Sequence, residues 1–230
     1  MIPPMLQYDS GLIKPVLEPP SAFRYSENDT DVPEHIVNMN KDLHKRASSD
    51  WWMATISQRG SSDGIADDMD AINKAISSGG RCGGGKCTGS TIYPATIYFP
   101  LGIYKVSSSI IQYYNTEMIG NPLDLPTIIA ALSFVGLGVI TSNVYTGETS
   151  EWYLNQNNFL RSVRNFIIDI RLTPANAQGI YMENGSGGFL SDLYFIRGKF
   201  GAYIGNQQFT ASGLYFEEAE TAIQIHWDWG

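Results

Sequence analysis

The string Ser191-Asp192-Leu193-Tyr194-Phe195 returns as Ser212-Gly213-Leu214-Tyr215-Phe216 after 21 residues. Gly179-Ile180-Tyr181-Met182 returns as Gly201-Ala202-Tyr203-Ile204 after 22, and Thr221-Ala222-Ile223-Gln224-Ile225 opens a third copy at about the same interval. Self-similarity of this period, carried by β-branched and aromatic residues, marks a solenoid in which each coil buries its apolar side only by stacking on its neighbours. Glycine occurs 23 times and tyrosine 13 times, and charged residues make up only 17%. The coils are therefore expected to be strands joined by turns, and the fold an all-β, right-handed parallel β-helix.

Residues 1–48 are proline-rich, then polar, and read as an extended leader with one short helix over residues 32–45. Residues 49–230 read as the β-helix domain. Within it Ile65, Met69, Ile72 and Ile76 recur at i, i+4, i+7 and i+11, which predicts an amphipathic helix opening at Asp63, capped by Asp63 or Asp67 and ended by Gly79-Gly80. Such a helix has a place over the open end of the first coil, where strand edges and apolar surface would otherwise be bare. Strands are expected over residues 95–99, 103–106, 110–114, 117–119, 127–134, 138–141 and 163–172, giving four or five coils. The chain ends on a strand-like segment with no polar terminal coil, the pattern expected of a β-helix incomplete at its C-terminus.

Several function classes are disfavoured. A net charge of −8 and a pI near 4.8 argue against a nucleic-acid partner, which needs clustered Lys and Arg. The apolar run at residues 128–140 is too short for a membrane span of roughly 20 residues and reads as buried strand. No secretory signal is visible at the start, so either the chain is not exported or its true start is missing. Gly80 to Lys86 matches a phosphate-binding loop only in part, because Cys87 replaces the Ser or Thr and a helix precedes where a strand should. Cys82 and Cys87 cannot form a zinc site with His35, His44 and His226 so distant in sequence. A local disulfide closing the glycine-rich loop is favoured over free thiols, and it would imply an oxidising compartment.

Taken together, Asp63-Gly64-Ile65-Ala66-Asp67-Asp68, Gly79-Gly80-Arg81-Cys82-Gly83-Gly84-Gly85-Lys86-Cys87, Asn155-Gln156-Asn157-Asn158-Phe159, Met182-Glu183-Asn184-Gly185-Ser186-Gly187-Gly188-Phe189, Gly205-Asn206-Gln207-Gln208-Phe209 and Trp227-Asp228-Trp229-Gly230 resemble the fungal glycoside hydrolase family 55, within the pectate-lyase-like superfamily. The resemblance implies an extracellular, cofactor-free, inverting β-1,3-glucanase built from two tandem β-helices, with this chain matching the first. Inversion needs one raised-pKa carboxylic acid and a water attacking the opposite sugar face. By resemblance that acid is a glutamate of the second β-helix, so the chain is expected to be impaired or inactive alone. Ser186 corresponds to the family's water-positioning serine and Gln156 to a substrate-side glutamine.

Two departures bear on activity. The strand and turn expected between Gly60 and Asp63 are largely missing, and a coil is expected to be deleted near Thr173, because Phe166 and Leu193 stand 27 residues apart. Asn184, Gln208, Trp227 and Trp229 are further candidates for substrate binding. Asn184-Gly185-Ser186 can equally be turn chemistry or a glycosylation sequon, Gln207 and Gln208 can form a polar ladder between coils, and the two indoles can be core. Asp192 and Asp228 are candidates for the cleft, whereas Glu217, Glu218 and Glu220 read as a solvated turn and His226 as structural. The expected partner is a β-1,3-glucan or laminarin-type oligosaccharide, with neither nucleic acid nor membrane. The alternatives are a non-catalytic glucan-binding remnant and a calcium-dependent lyase, the second lacking an aspartate cluster on the repeated strands.

Overall fold

The computed structural model describes residues 52–56, 62–78, 81–83, 87, 91, 94–145, 150–154, 157–173 and 176–226, all within the compact unit Arg46–Gly230. The expected leader, Gln156, Trp227, Asp228 and Trp229 lie outside these residues, as do the side chains of residues 52–55 and 184.

Ten strands and one short helix are formed among the described residues. They are β1 (Trp52–Thr55), β2 (Asp63–Asp67), α1 (Met69–Ser77), β3 (Ala95–Phe99), β4 (Ile103–Ile111), β5 (Thr116–Gly120), β6 (Thr127–Thr141), β7 (Phe159–Asp169), β8 (Gln178–Ile196), β9 (Phe200–Glu217) and β10 (Thr221–Ile225). Every pairing between these strands is parallel. The registers define a three-faced β-solenoid of about five turns. The first face runs β1–β3–β5 and on through the early part of β7 and the middle of β8 and β9. The second face stacks β2, the starts of β4 and β6, and the ends of β7, β8 and β9. The third stacks the ends of β4 and β6, the starts of β8 and β9, and β10.

Inward side chains stack in columns because each coil repeats the alternation of its neighbour. Ile97, Met118, Val163 and Leu190 form one column, Tyr104, Ile128, Ile168 and Phe195 a second, and Ile110, Ile140, Ile180 and Ala202 a third. All twelve are buried. At roughly 1.5–3 kcal/mol for each large apolar side chain taken out of water, these columns dominate the stability of the stack. The near-repeat is the second column continued one coil further: Phe195 and Phe216 stack at 5.0 Å with rings 6° from parallel.

The corners repeat as well. Between the first and second faces Asn165, Asp192 and Gly213 stack with φ of 64°, 53° and 60°. Asn, Asp and Gly are the residues that tolerate this left-handed conformation best. Asn165 also donates from Nδ2 to the Gly120 carbonyl at 3.2 Å, fastening one coil to the preceding one.

The helix starts later than its apolar spacing implies. Asp63–Asp67 is strand β2, paired with β4, where the sequence suggested the first turn of the helix; the interval from Gly60 to Asp63 lies largely outside the described residues. Asp68 is the residue before α1. Its buried carboxylate accepts from the Lys105 amide at 3.0 Å and the Ser62 amide at 3.3 Å, which ties the helix start to the neighbouring coil. Ile65 is consequently 77% exposed, while Met69, Ile72 and Ile76 are buried and α1 packs against β4 and β1.

Phe166 pairs directly with Leu193, so the 27-residue interval is one coil. Its extra length lies in the turn from the second to the third face, which takes residues 170–177 here and only residues 197–199 in the next coil. Turns absorb insertions without disturbing the ladders on either side. The apolar run becomes the single strand β6, with Ile128, Val139 and Ile140 inside and Leu132 and Val135 outside.

Candidate functional site at the corner between the third and first faces

Residues far apart in sequence meet where the third face turns into the first. Asn115, Leu160, Gly187 and Gln208 occupy the same corner position in successive coils, with φ of 47°, 58°, 60° and 48°. The corner of one coil is expanded into the loop after β6. Ser142 N donates to the Tyr181 carbonyl at 3.0 Å, Leu154 N to the Tyr114 hydroxyl at 2.8 Å, and Ser186 N to the Asn158 carbonyl at 3.0 Å. Cys82 and Cys87 are joined by a disulfide with Cα atoms 6.0 Å apart. Tyr114 N donates to the Cys82 carbonyl at 3.3 Å, and Asn157 Nδ2 donates to the Cys87 carbonyl. The Tyr113 and Trp152 rings meet edge to face at 5.6 Å, against Gly83, where a Cβ would lie 2.8 Å from the Tyr113 ring.

A small recess opens at this corner, lined by Ser142, Asn158, Arg161, Ser186, Gly187 and Asn206 among others, with room for about one water. Arg161 is 4% exposed. Its guanidinium donates to the Tyr113 carbonyl at 3.2 Å and to the Ser142 carbonyl, and lies over the rings of Tyr114 at 5.2 Å and Tyr153 at 5.8 Å. Burial lowers its pKa to about 9, while the two phenols act in the opposite direction; it is a fixed positive charge at neutral pH. At the rim Ser186 Oγ donates to Gln208 Oε1 at 3.1 Å, and Gly185 N donates to Asn206 Oδ1 at 3.0 Å. Hydroxyl, amide and backbone groups of this kind hold a water or the hydroxyls of a neutral ligand.

Beside the recess, on the outward side of the third face, lies a carboxylate that sequence reasoning did not single out. Glu183 is 6% exposed. Its Oε2 accepts from Tyr181 Oη at 2.7 Å, Asn143 Nδ2 at 3.0 Å and Tyr145 Oη at 3.2 Å, and its Oε1 lies 3.2 Å from His226 Nδ1. Burial, followed by the bond to Glu183, raises the Tyr181 pKa; burial is also the largest cause of the raised values at Tyr145 and Tyr203. These phenols stay neutral near pH 7. The Tyr203 ring stacks on Tyr181 at 4.8 Å and on His226 at 5.9 Å. Glu183 reaches His226 across a whole coil because its ladder partner between them is Gly205, which has no side chain to intervene. The available signal was this break in the repeat, Tyr181-Met182-Glu183 against Tyr203-Ile204-Gly205.

The structure thus brings Ser186 and Gln208 together, and Asn184 belongs to β8 at the same corner. Gln208 and Ser186 realise the polar ladder between coils. Asp192 sits at a different corner, between the first and second faces, apart from Ser186 and Gln208. Glu217 accepts from the Tyr194 hydroxyl, and Glu217, Glu218 and Glu220 are exposed. Among the described residues no group of three or more His, Cys, Asp or Glu could hold a metal ion.

Residues 59–178 and 173–230 match the family described as rhamnogalacturonase A/epimerase, pectate lyase-like. A Penicillium expansum protein named non-secreted LysM effector LysM15 is 53% identical over 237 aligned positions, covering 81% of this chain and 17% of that protein. A probable glucan endo-1,3-beta-glucosidase of Arthroderma benhamiae is 46% identical over 73% of this chain and 22% of its own length. A glucan 1,3-beta-glucosidase of Cochliobolus carbonum is 39% identical over 73% of this chain and 25% of its own length. The chain therefore spans about a fifth of the length of these relatives.

Proposed function

The chain belongs to the rhamnogalacturonase A/epimerase, pectate-lyase-like family, and from that premise we propose that it is a β-1,3-glucan hydrolase-like domain whose corner site holds a glucan and a water. Two relatives named as glucan 1,3-beta-glucosidases support the substrate class. The observation that carries the reading is the Ser186–Gln208 bond at the rim of a water-sized recess floored by the Arg161 guanidinium. Ser186 Oγ can turn its lone pair to an incoming water while the Gln208 amide, Asn206 and Asn158 offer donors and acceptors for sugar hydroxyls.

Inverting hydrolysis breaks the bond between the anomeric carbon and the leaving oxygen as water attacks the opposite face. It needs an acid for that oxygen and a carboxylate for the water, roughly 6.5–9.5 Å apart. Glu183, three positions before Ser186, is committed to Tyr181, Tyr145, Asn143 and His226 and supplies neither role. We therefore assign the 230 residues alone glucan binding with little turnover. A non-catalytic glucan-binding role is the second reading, favoured by the name of the LysM15 relative. An extracellular setting goes with a cell-wall glucan, and the Cys82–Cys87 disulfide is compatible with it.

Native electrophoresis through gels containing laminarin, alongside reducing-sugar release, tests both readings. Retardation that weakens in Ser186→Ala, with release at least 10²-fold below that of a complete glucanase, is the expected result. Laminarin that neither retards the chain nor is cleaved by it would sink the glucan assignment. Release at full rate would show that the acid is present after all.

A further inference from the structure

The left-handed corner column holds two residues that backbone preference does not explain, Leu160 and Gln208, and of these only Leu160 is apolar. Asn115 and Gly187 suit this conformation, but Leu160 adopts φ of 58° while its side chain is 48% exposed. A residue with a bulky Cβ is disfavoured there, and a half-exposed leucine recovers little from burial. The corner imposes this conformation in four coils, so what calls for a use is the half-exposed apolar side chain carried there.

The neighbours of Leu160 give that side chain a use. The next position in the column is Gly187, and apart from its adjoining residues a Cβ there would meet only Leu160 Cδ2, at 3.4 Å. The following position is Gln208, whose side chain accepts from Ser186 Oγ. Glycine therefore leaves a slot between an apolar wall and a polar wall two rungs apart, about 9.5 Å along the stack. A pyranose has matching chemistry, with C–H groups on its face and hydroxyls on its rim.

Resting on the glucan reading above, we infer that Leu160 is the apolar wall of a glucosyl subsite, with Ser186 and Gln208 as its polar wall and Gly187 as its floor. Leu160 Cδ2 lies 3.4 Å from where a Cβ on Gly187 would stand, so the side chain reaches over that glycine. Leu160 is a positioning and specificity residue and takes no part in bond breaking.

The test uses the whole chain and reads binding and folding separately. Leu160→Asn suits the backbone and removes the apolar wall, whereas Leu160→Met keeps the wall. The expected result for Leu160→Asn is a melting temperature equal to or above that of the unaltered chain. Its affinity for laminari-oligosaccharides in native gels should be lower by about fivefold, the factor for burying roughly half a leucine side chain. Leu160→Met should bind within twofold of the original. Unchanged affinity in Leu160→Asn, with Ser186→Ala still weakening binding, overturns the wall and leaves the glucan reading standing. A drop in melting temperature for Leu160→Asn without a loss of affinity in the folded protein makes Leu160 a packing residue and also overturns it. No binding by the unaltered chain overturns the glucan reading and the subsite together.

Discussion

Replacing Glu183 by alanine is the perturbation with the largest expected effect outside the apolar core. The carboxylate receives hydrogen bonds from Tyr181, Asn143 and Tyr145 and pairs with His226. Hydrogen bonds to a charged group contribute about 1.5–3 kcal/mol each, but they share one acceptor group and do not add. The cost comes mainly from what is left behind: the Tyr181 hydroxyl and the Asn143 amide stay buried with this partner gone, at about 1–3 kcal/mol apiece. About 3–5 kcal/mol is the expected loss, against a typical total of 5–15 kcal/mol. For a domain of this size that corresponds to a fall of about 6–20 °C in melting temperature. Glu183→Gln retains an acceptor oxygen and should cost roughly half as much.

Calorimetry gives the shift, and hydrogen exchange locates it. Each coil of a solenoid contacts only its neighbours, so protection should fall first in β8, β9, β10 and residues 142–145, which Glu183 joins, while β3–β5 keep theirs. A shift below about 3 °C, or protection lost equally along the whole stack, would refute the claim that Glu183 staples the loop after β6 to the last coils.

Two further predictions concern the corners and turns. Asn165→Ala should destabilise by about 1–2 kcal/mol, because alanine must still adopt the left-handed conformation and the bond to the Gly120 carbonyl is lost, whereas Asn165→Gly should cost less; urea unfolding measures both. At Asp169, burial pushes the carboxyl pKa up, but the side-chain and backbone bonds from Arg171 and its charge outweigh this and hold it below the usual range. A depressed folded-state pKa contributes stability above about pH 4, lost as pH falls through the folded value. The urea midpoint of Asp169→Asn should therefore lie below that of the unaltered chain at pH 7, and the two should converge as the pH falls through the depressed folded-state value.

What the sequence revealed and what it concealed follow from how a solenoid is assembled. Period and inward alternation are local, so the strands of the last three coils, the Phe195–Phe216 stack and the proximity of Ser186 to Gln208 could all be inferred from spacing. Spacing failed wherever a turn changed length. Counted through the turn at residues 170–177, the interval from Phe166 to Leu193 matches neither one period nor two, while the ladders on both sides remain in register. The helix start was misplaced for a related reason. Ile65 has the right phase for a helix face, but Asp63 and Ile103 pair as strand, and the buried carboxylate of Asp68 fixes where the helix can begin.

Glu183 was hidden for a different reason. An acidic residue at an outward strand position normally faces water, and only a loop some 40 residues away, bringing Asn143 and Tyr145, turns that position into a buried one. The same stacking explains why the candidate site is coherent at all. Asn115, Leu160, Gly187 and Gln208 are spread over almost half the chain, yet coil-on-coil register places them in one column. In such a column a side chain acts on the rungs directly above and below it. Gly187 matters because it is empty between two occupied positions, and Gly205 matters in the same way between Glu183 and His226. The proposed slot and the Glu183 staple are thus each made by a glycine at a position where the neighbouring coils carry side chains.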